Sequence, residues 1–468
     1  MPRSGRRPRT ASCLSIAIAA ALAASSARAG DVTVQLDSGS GFSVRNASGA
    51  IERLRVDEAT GNVSRNGALF VHTTGTQNVF VGTGAGTATT SGLGQNTALG
   101  HNALHSITSG MFNAAAGTNA LFYNTTGHSN AAFGSNAMLY NTTGYANAAF
   151  GQAALSANTS GDSNAAVGQN AMRVNTTGSG NAAVGVNALR LNTSGYWNAA
   201  VGGNALRSNS TGAQNSAFGR NALYANTTGA RNAAFGTYAL RNTTIGIENA
   251  AFGSHALRRN TTGQQNAALG RLALYNNTSG SRNVAVGVGA GSAQDTGNDN
   301  IYLANPGNSG ESGQIRIGTT GTHTGTRIAG IHGAALSGFG VQVLVEPNGT
   351  LGTTVSSARF KQDVHDMGDA SDLLMRLRPV TFHYREDAVG AEGAKAKEYG
   401  LIAEEVAEVA PELVAGDADG NPYTVRYHVL PALLLNEIQK QERVIAALSA
   451  RIEALEATPG AACEAGVR

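Results

Sequence analysis

The chain has 468 residues, of which 13% are charged and 6% aromatic, while glycine alone contributes 61. That length admits two or three domains, and the shortage of large apolar side chains excludes a conventional globular core throughout, so small residues must pack in a regular array. The net charge of +3 implies little about partners when taken over the whole chain.

Residues 1–29 read as an export signal. Arg3, Arg6, Arg7 and Arg9 form a basic leader, Cys13 to Ala24 is apolar, and Ala27-Arg28-Ala29 supplies a small-x-small processing site. The apolar run is too short to hold a bilayer span, so stable membrane insertion is not expected. Processing would leave Cys463 as the single cysteine, which excludes a disulfide framework within one chain. The chain is therefore expected to be exported, to the cell surface or beyond it. Residues 30–77 alternate apolar and polar side chains, as in Val32-Thr33-Val34-Gln35-Leu36 and Phe42-Ser43-Val44, and read as a β-rich cap.

Repetition dominates residues 78–290. Asn recurs at 96, 113, 130, 147, 164, 181, 198, 215, 232, 249, 266 and 283, a constant step of seventeen, and each unit reads roughly N-A-A-φ-G-x-N-A-L-x-x-N-T-T-G-x-x. Ala stands third and Gly fifth in every one of these units; the ninth residue is Leu or Met until Gly291 breaks the pattern. A period this short cannot hold a helix hairpin and fits one coil of a β-solenoid or β-roll, with two short strands and two turns. The fourth residue (Phe133, Phe150, Val167, Val184, Phe218) and the ninth are expected to face inward, with Ala filling the tight spaces. N-T-T-G is turn chemistry. Stacking at about 4.8 Å per coil gives a body of roughly 55–60 Å and aligns like residues, so the asparagines should form hydrogen-bonded ladders. One slip, at Asn242-Thr243-Thr244-Ile245-Gly246, should shift a turn by one residue before the period recovers at Asn249. These residues resemble the head repeats of trimeric autotransporter adhesins, a likeness of architecture that implies a trimeric β-roll.

The body is poor in chemistry. Between Asn78 and Ala290 the acids are Asp162 and Glu248, there is no Lys, and there are ten Arg. Paired carboxylates for glycoside hydrolysis and His/Cys spacing for a metal are missing, so neither a metal nor a cofactor is expected, and no nucleic-acid partner. Arg173, Arg190, Arg207, Arg241 and Arg258 share the tenth position of their coils, where Phe122, Tyr224 and Tyr275 stand elsewhere. Stacking would gather them into one basic and aromatic stripe, either a solubilising face or a track for an acidic polymer such as surface polysaccharide.

Residues 291–355 form a β-rich stalk with strand candidates at Asn300–Leu303, Ile315–Ile317 and Val341–Val345. From Ser356 charge rises and glycine falls. The run Ser356-Ser357-Ala358-Arg359-Phe360-Lys361, then LRPVTFHY from Leu377, YGLIAEEV from Tyr399, Pro411-Glu412-Leu413-Val414 and Tyr423-Thr424-Val425-Arg426-Tyr427, resembles the intramolecular chaperone domain of phage tail spikes and fibres, including endosialidases. That resemblance covers about a hundred residues. It implies a domain, here 356–429, that trimerises, nucleates folding of the upstream fibre and then cuts itself off at Val355-Ser356. The family's serine and lysine fall on Ser356 and Lys361. A serine needs a base to take its proton, and a lysine serves only when desolvation lowers its pKa, as burial in a trimer interface would do. The sequence departs from the family at Ser357, where aspartate is usual, which leaves Ser357 as a competing nucleophile.

Residues 430–457 read as a closing coiled-coil helix, with Ile438, Ile445 and Ile452 at one core position and Leu434, Gln441, Leu448 and Leu455 at the other. Ile over Leu in this order favours two strands, whereas the resemblance implies three. Residues 458–468 read as a disordered tail. The whole is a mainly β repeat body in a fibre, followed by a small α+β domain. Two other functions fit parts of the chain: a fibre-borne polysaccharide depolymerase, and an ice- or crystal-binding solenoid built on the Thr-Thr turns.

Overall fold

A computed structural model of the chain describes residues 33–37, 41–45, 52–57, 59–88, 94–331, 340–346, 348–417 and 419–457. The expected export signal and C-terminal tail lie outside them. The chain divides into two compact units between Arg327 and Ile328.

The first unit begins with five strands, Thr33–Asp37, Gly41–Arg45, Glu52–Val56, Val63–Arg65 and Ala68–His72, each paired antiparallel with the next. The last of them pairs antiparallel with Val79–Val81, the strand of the first coil. From there the strands are parallel and in register at the seventeen-residue step, Ala131 beside Ala148 beside Ala165, in a β-solenoid of about fourteen coils. The stack continues past residue 290: Ile301–Leu303 and Ile315–Ile317 add to the same sheet.

Each coil contains one three-residue strand rather than the two expected; the rest of the coil is a series of turns. The orientation of the strand also corrects the expected core. In Ala131-Ala132-Phe133 the middle residue is inside and fully buried, while Phe133 is 41% exposed. Side chains alternate along a strand, so a buried third residue forces the second and fourth outward. Phe133, Phe150, Val167, Val184 and Phe218 therefore form an outer apolar ridge, in which Phe218, Phe235 and Phe252 stack with ring centroids 4.8 and 4.9 Å apart. The core is made of the third-position Ala, the eighth-position Ala and the ninth-position Leu or Met.

Backbone conformation explains the consensus. The fifth residue has φ between 121° and 143° in every coil from Gly100 to Gly287, and a Cβ on Gly134 would stand 2.6 Å from the carbonyl oxygen of Gly151 in the next coil. The seventh residue is left-handed, as at Asn136 (φ 58°), a conformation asparagine tolerates better than most. The ninth is left-handed too, although it is Leu or Met, as at Leu189 (φ 50°). That strain costs about 1–2 kcal/mol per residue and is offset by burying the side chain, which contributes about 1.5–3 kcal/mol.

Two columns of buried asparagine hold the coils together, as the sequence predicts. In the first, Asn113 Nδ2 donates to Asn96 Oδ1 (3.1 Å) in the coil before it and to the Gly127 carbonyl (2.9 Å) in its own coil. In the second, Asn141 Nδ2 donates to Asn124 Oδ1 (2.7 Å) and to the Gly144 carbonyl (3.0 Å). Both columns converge on the carbonyl of the same glycine: Gly144 also accepts from Asn130 at 2.9 Å.

The expected slip at Asn242 does not shift the turn. Gly246 keeps its place, accepting from Asn232 Nδ2 at 2.8 Å, and Thr243 occupies the buried slot of the second column. Its hydroxyl donates to the Asn260 carbonyl (3.2 Å), so Asn226 Oδ1 is left buried without a hydrogen-bond partner. The column ends in the same way at Gln294, which leaves Asn277 Oδ1 unpartnered. Beyond it the stack is closed by buried Tyr302, whose ring lies beneath Gly291, and by the ion pair of Arg316 Nη2 with Glu311 Oε2 (2.7 Å).

The second unit has a hairpin, Val343–Val345 with Leu351–Thr353, followed by an α+β region. Its helices are α1 (Glu386–Gly393), α2 (Ala403–Val409) and the long α3 (Leu430–Glu456); strand Val380–Phe382 pairs with Glu398–Gly400, and Val414–Gly416 with Pro422–Val425. Val406, Ala410, Leu413, Val425 and Leu433 form its small core.

Restoring the broken column should stabilise it. Thr243→Asn supplies the missing donor to Asn226 Oδ1 in a slot that holds asparagine in the neighbouring coils, and about 1–2 kcal/mol is expected from satisfying a buried acceptor. Native-state hydrogen exchange of the coils on either side should slow by about tenfold.

A second expectation concerns acid. His72 is buried, its Nε2 donates to the Ala85 carbonyl (2.8 Å), and the neutral ring thus accepts from Thr74 Oγ1 at Nδ1 (2.9 Å). Burial holds its pKa below 6.5, against the opposing pull of the Ala85 carbonyl. The unfolded chain therefore binds the proton first: stability is complete above pH 6.5 and falls as the pH drops toward the folded value. Exchange protection around Val71–Ala85 should weaken between about pH 7 and about pH 5, and His72→Gln should remove that dependence.

Candidate functional site

The chemistry-bearing serine and lysine lie at the start of the α+β region. A short 3-10 turn over Ala358–Phe360, closed by Phe360 N–H to the Ser357 carbonyl (3.0 Å) and Lys361 N–H to the Ala358 carbonyl (3.1 Å), reverses the chain after Ser356. The turn returns Lys361 toward Ser356, and Nζ lies 3.3 Å from Oγ. Five residues of separation thus become one hydrogen bond. Ser357 contributes its carbonyl to the turn, and among the described residues no hydrogen bond joins its hydroxyl to Lys361. Val355, Ser356 and Lys361 are all exposed in the single chain.

Further along the chain, polar contacts fasten α3 to the 3-10 helix Gly368–Arg376. Ser371 is buried; its Oγ donates to Glu437 Oε2 (3.0 Å) and accepts from Asn436 Nδ2 (2.7 Å), which also donates to the Gly368 carbonyl (2.8 Å). Lys440 pairs with Asp372 and lies 3.5 Å from Glu437; Asp372 is the main reason its pKa is raised. Arg378 clamps Glu405 of α2 and holds that carboxyl below its usual range. Sequence reasoning missed these contacts, because Ser371 and Asn436 stand 65 residues apart and Arg378 and Glu405 stand 27 apart, with no motif linking them.

These contacts reach along α3 as far as Lys440. From Gln441 to Glu456 every residue of α3 is exposed, including Ile445, Leu448, Ile452 and Leu455 of the heptad. Leu434, also half exposed, borders an apolar groove of about 640 Å³ that Leu374, Leu377, Val380, Tyr427 and Leu430 help to line.

The tenth-position arginines are the other candidate. Arg207, Arg241 and Arg258 are held by tyrosines: Arg207 Nη1 donates to Tyr224 Oη and Arg258 Nη1 to Tyr275 Oη, each at 2.8 Å. The Tyr224 ring lies 5.5 Å from both Arg207 and Arg241, and Tyr238 lies 5.8 Å from Arg241 and 5.6 Å from Arg258. Arg173 and Arg190 stand in the same row without an aromatic clamp among the described contacts. Tyr238, at a seventh position, was not part of the expected stripe. The body's two acids are engaged elsewhere, Asp162 with Ser179 Oγ (2.6 Å) and Glu248 with Arg231 (2.6 Å).

Among the described residues no group of His, Cys, Asp and Glu is arranged to hold a metal, and no helix is long and apolar enough to cross a membrane. No curated protein and no solved structure matches the chain. Residues 356–415, the segment that opens with Ser356 and runs through α2, match the family described as the chaperone of endosialidase.

Proposed function

We propose that this chain is an exported, homotrimeric surface fibre of adhesin type, whose residues 356–457 assemble the trimer, set the folding of the body and then cut themselves away. The observation that carries this reading is α3. Sixteen residues of helix, with a heptad of Ile and Leu on one face, lie wholly exposed in the single chain. An unsupported helix of that length is marginal in water, and the face is of the kind that identical helices bury against one another. The apolar groove beside Leu434 and the outer ridge of the solenoid add surface that a partner of the same chain would cover. The family match over 356–415 favours a chaperone role and three strands over two.

Assembly also supplies what the dyad lacks. Only a neutral amine can take the proton, and packing three copies around Ser356 and Lys361 would desolvate the lysine and favour that form. In the proposed step Lys361 takes the Ser356 hydroxyl proton while Oγ attacks the Val355 carbonyl carbon. The proton passes to the departing Ser356 nitrogen, and an ester links Val355 to Oγ. Water then hydrolyses the ester, releasing the Val355 carboxylate and restoring the hydroxyl.

The depolymerase alternative finds two acids between Asn78 and Ala290, five coils apart, with Asp295, Asp299 and Glu311 in the last turns of the stack, each already hydrogen-bonded. In the ice-binding alternative the thirteenth-position hydroxyls are used within the stack, as in Thr142 Oγ1 to the Thr159 carbonyl (3.0 Å).

Two outcomes test the proposal. Intact mass should give a body ending at Val355 and a fragment beginning at Ser356, whereas Ser356→Ala, Lys361→Ala and Lys361→Arg should each give full-length trimers, arginine being unable to deprotonate. A fragment beginning at Ser357 would move the nucleophile. A chain ending at Val355 should yield little soluble trimer; equal yield to the full chain would exclude the chaperone role.

A further inference from the structure

We infer that the tenth-position row is a docking track for an acidic polysaccharide, anchored where Arg241 and Arg258 stand on adjacent coils between tyrosine rings. The row runs over seven successive coils as Arg173, Arg190, Arg207, Tyr224, Arg241, Arg258 and Tyr275. At about 4.8 Å per coil it is a straight file of about 30 Å, and one step is close to the length of one sugar ring.

Three features separate the track from a merely soluble face. The first is uncompensated charge. Arg241 and Arg258 are neighbours in the stack, Arg259 and Arg271 lie close by, and both body acids are engaged at sixteenth and seventeenth positions. An anion between the two guanidinium groups relieves their repulsion. His255 registers the same field: its pKa is lowered, by burial first and then by Arg258 and Arg271.

The second feature is order. A free surface arginine loses rotamer freedom when it binds, whereas Arg207 and Arg258 are already fixed by tyrosine hydroxyls, and Arg241 lies between the Tyr224 and Tyr238 rings. Donors fixed in advance bind more tightly because less is lost on association. The third concerns the kind of polymer. Single-stranded nucleic acid is held by stacking its bases on free aromatic faces. Here the tyrosine rings are already flanked by guanidinium groups, Tyr224 by Arg207 and Arg241, Tyr275 by Arg258 and Arg259. What remains outward is a file of cations one coil apart, Arg173, Arg190 and Arg207 and then, past Tyr224, Arg241 and Arg258, which suits a chain with carboxylates or sulfates on its successive sugars.

The inference rests on the fibre reading only in that the body must be presented outward, and it does not depend on the cut. The test uses the full-length protein and fluorescent alginate, a polyuronate, with neutral dextran as control. Binding to alginate should weaken as salt rises, and dextran should not bind. Arg241→Gln with Arg258→Gln should weaken binding by about tenfold, and Arg173→Gln with Arg190→Gln by about threefold. Arg231→Gln, which alters the pair with Glu248 elsewhere on the coil, should leave it unchanged. Tyr275→Phe keeps the ring and frees Arg258 from its hydroxyl, and a loss of about threefold is expected even if the double variant does not fold. Uncut Ser356→Ala protein should bind as the wild type does, so a failure of processing leaves this result untouched. The inference is overturned if the clamped pair behaves like Arg231→Gln, if Tyr275→Phe binds at full strength, or if single-stranded DNA of equal charge binds as tightly as alginate.

Discussion

A coil of seventeen residues with only three in a strand buries many polar groups that regular secondary structure does not satisfy. Most coils meet that demand with two asparagine side chains directed at the carbonyl of one glycine, and each amide also reaches the asparagine of the coil before it. An unpaired buried amide costs about 1–3 kcal/mol, so the arrangement admits little variation. Much of the rest follows. The glycine beside the asparagines can carry no side chain, since a Cβ on Gly144 would stand 2.4 Å from Asn141 Oδ1. The left-handed seventh and ninth residues bring the chain round to the next asparagine, and the core is left with room for two alanines and one leucine.

This economy has a weakness. Because the coils are nearly identical, a chain displaced by one whole coil against its neighbours in the proposed assembly would present them with almost the same surface. Repeats of this kind would specify the alignment of one chain with another only weakly. An element of different composition that occurs once in the chain would be a physical remedy in such an assembly, and the residues after Ser356 are of that composition: charged, helical, and fastened by contacts such as Ser371–Glu437 that occur once.

Much of this was legible in the sequence. The period, the asparagine ladders, the closing helix and the closeness of Ser356 to Lys361 follow from spacing and from the family motif. The outward direction of Phe133 did not follow, because A-A-φ reads equally well with the largest residue inside; the alternation is fixed only when the middle alanine is seen buried. The second strand was lost to the left-handed residues at Asn136 and Met138, which no propensity for Leu or Met announces. Thr243 was misread because a shifted N-T-T-G looks like a shifted turn, whereas the backbone held its place and the side chains changed slots. Tyr238 escaped notice because a seventh-position residue meets a tenth-position arginine only through the curvature of the coil.

The asparagine columns also give the body a mechanical character. Their hydrogen bonds run along the stack, from coil to coil, so tension between the two ends of the solenoid meets them one coil at a time, as in opening a zipper. Each coil that opens releases seventeen residues, about 55–60 Å of extended chain, in place of a rise of about 4.8 Å. A solenoid so built yields under load by paying out length in equal steps and leaves the remaining coils intact, as a shock absorber does.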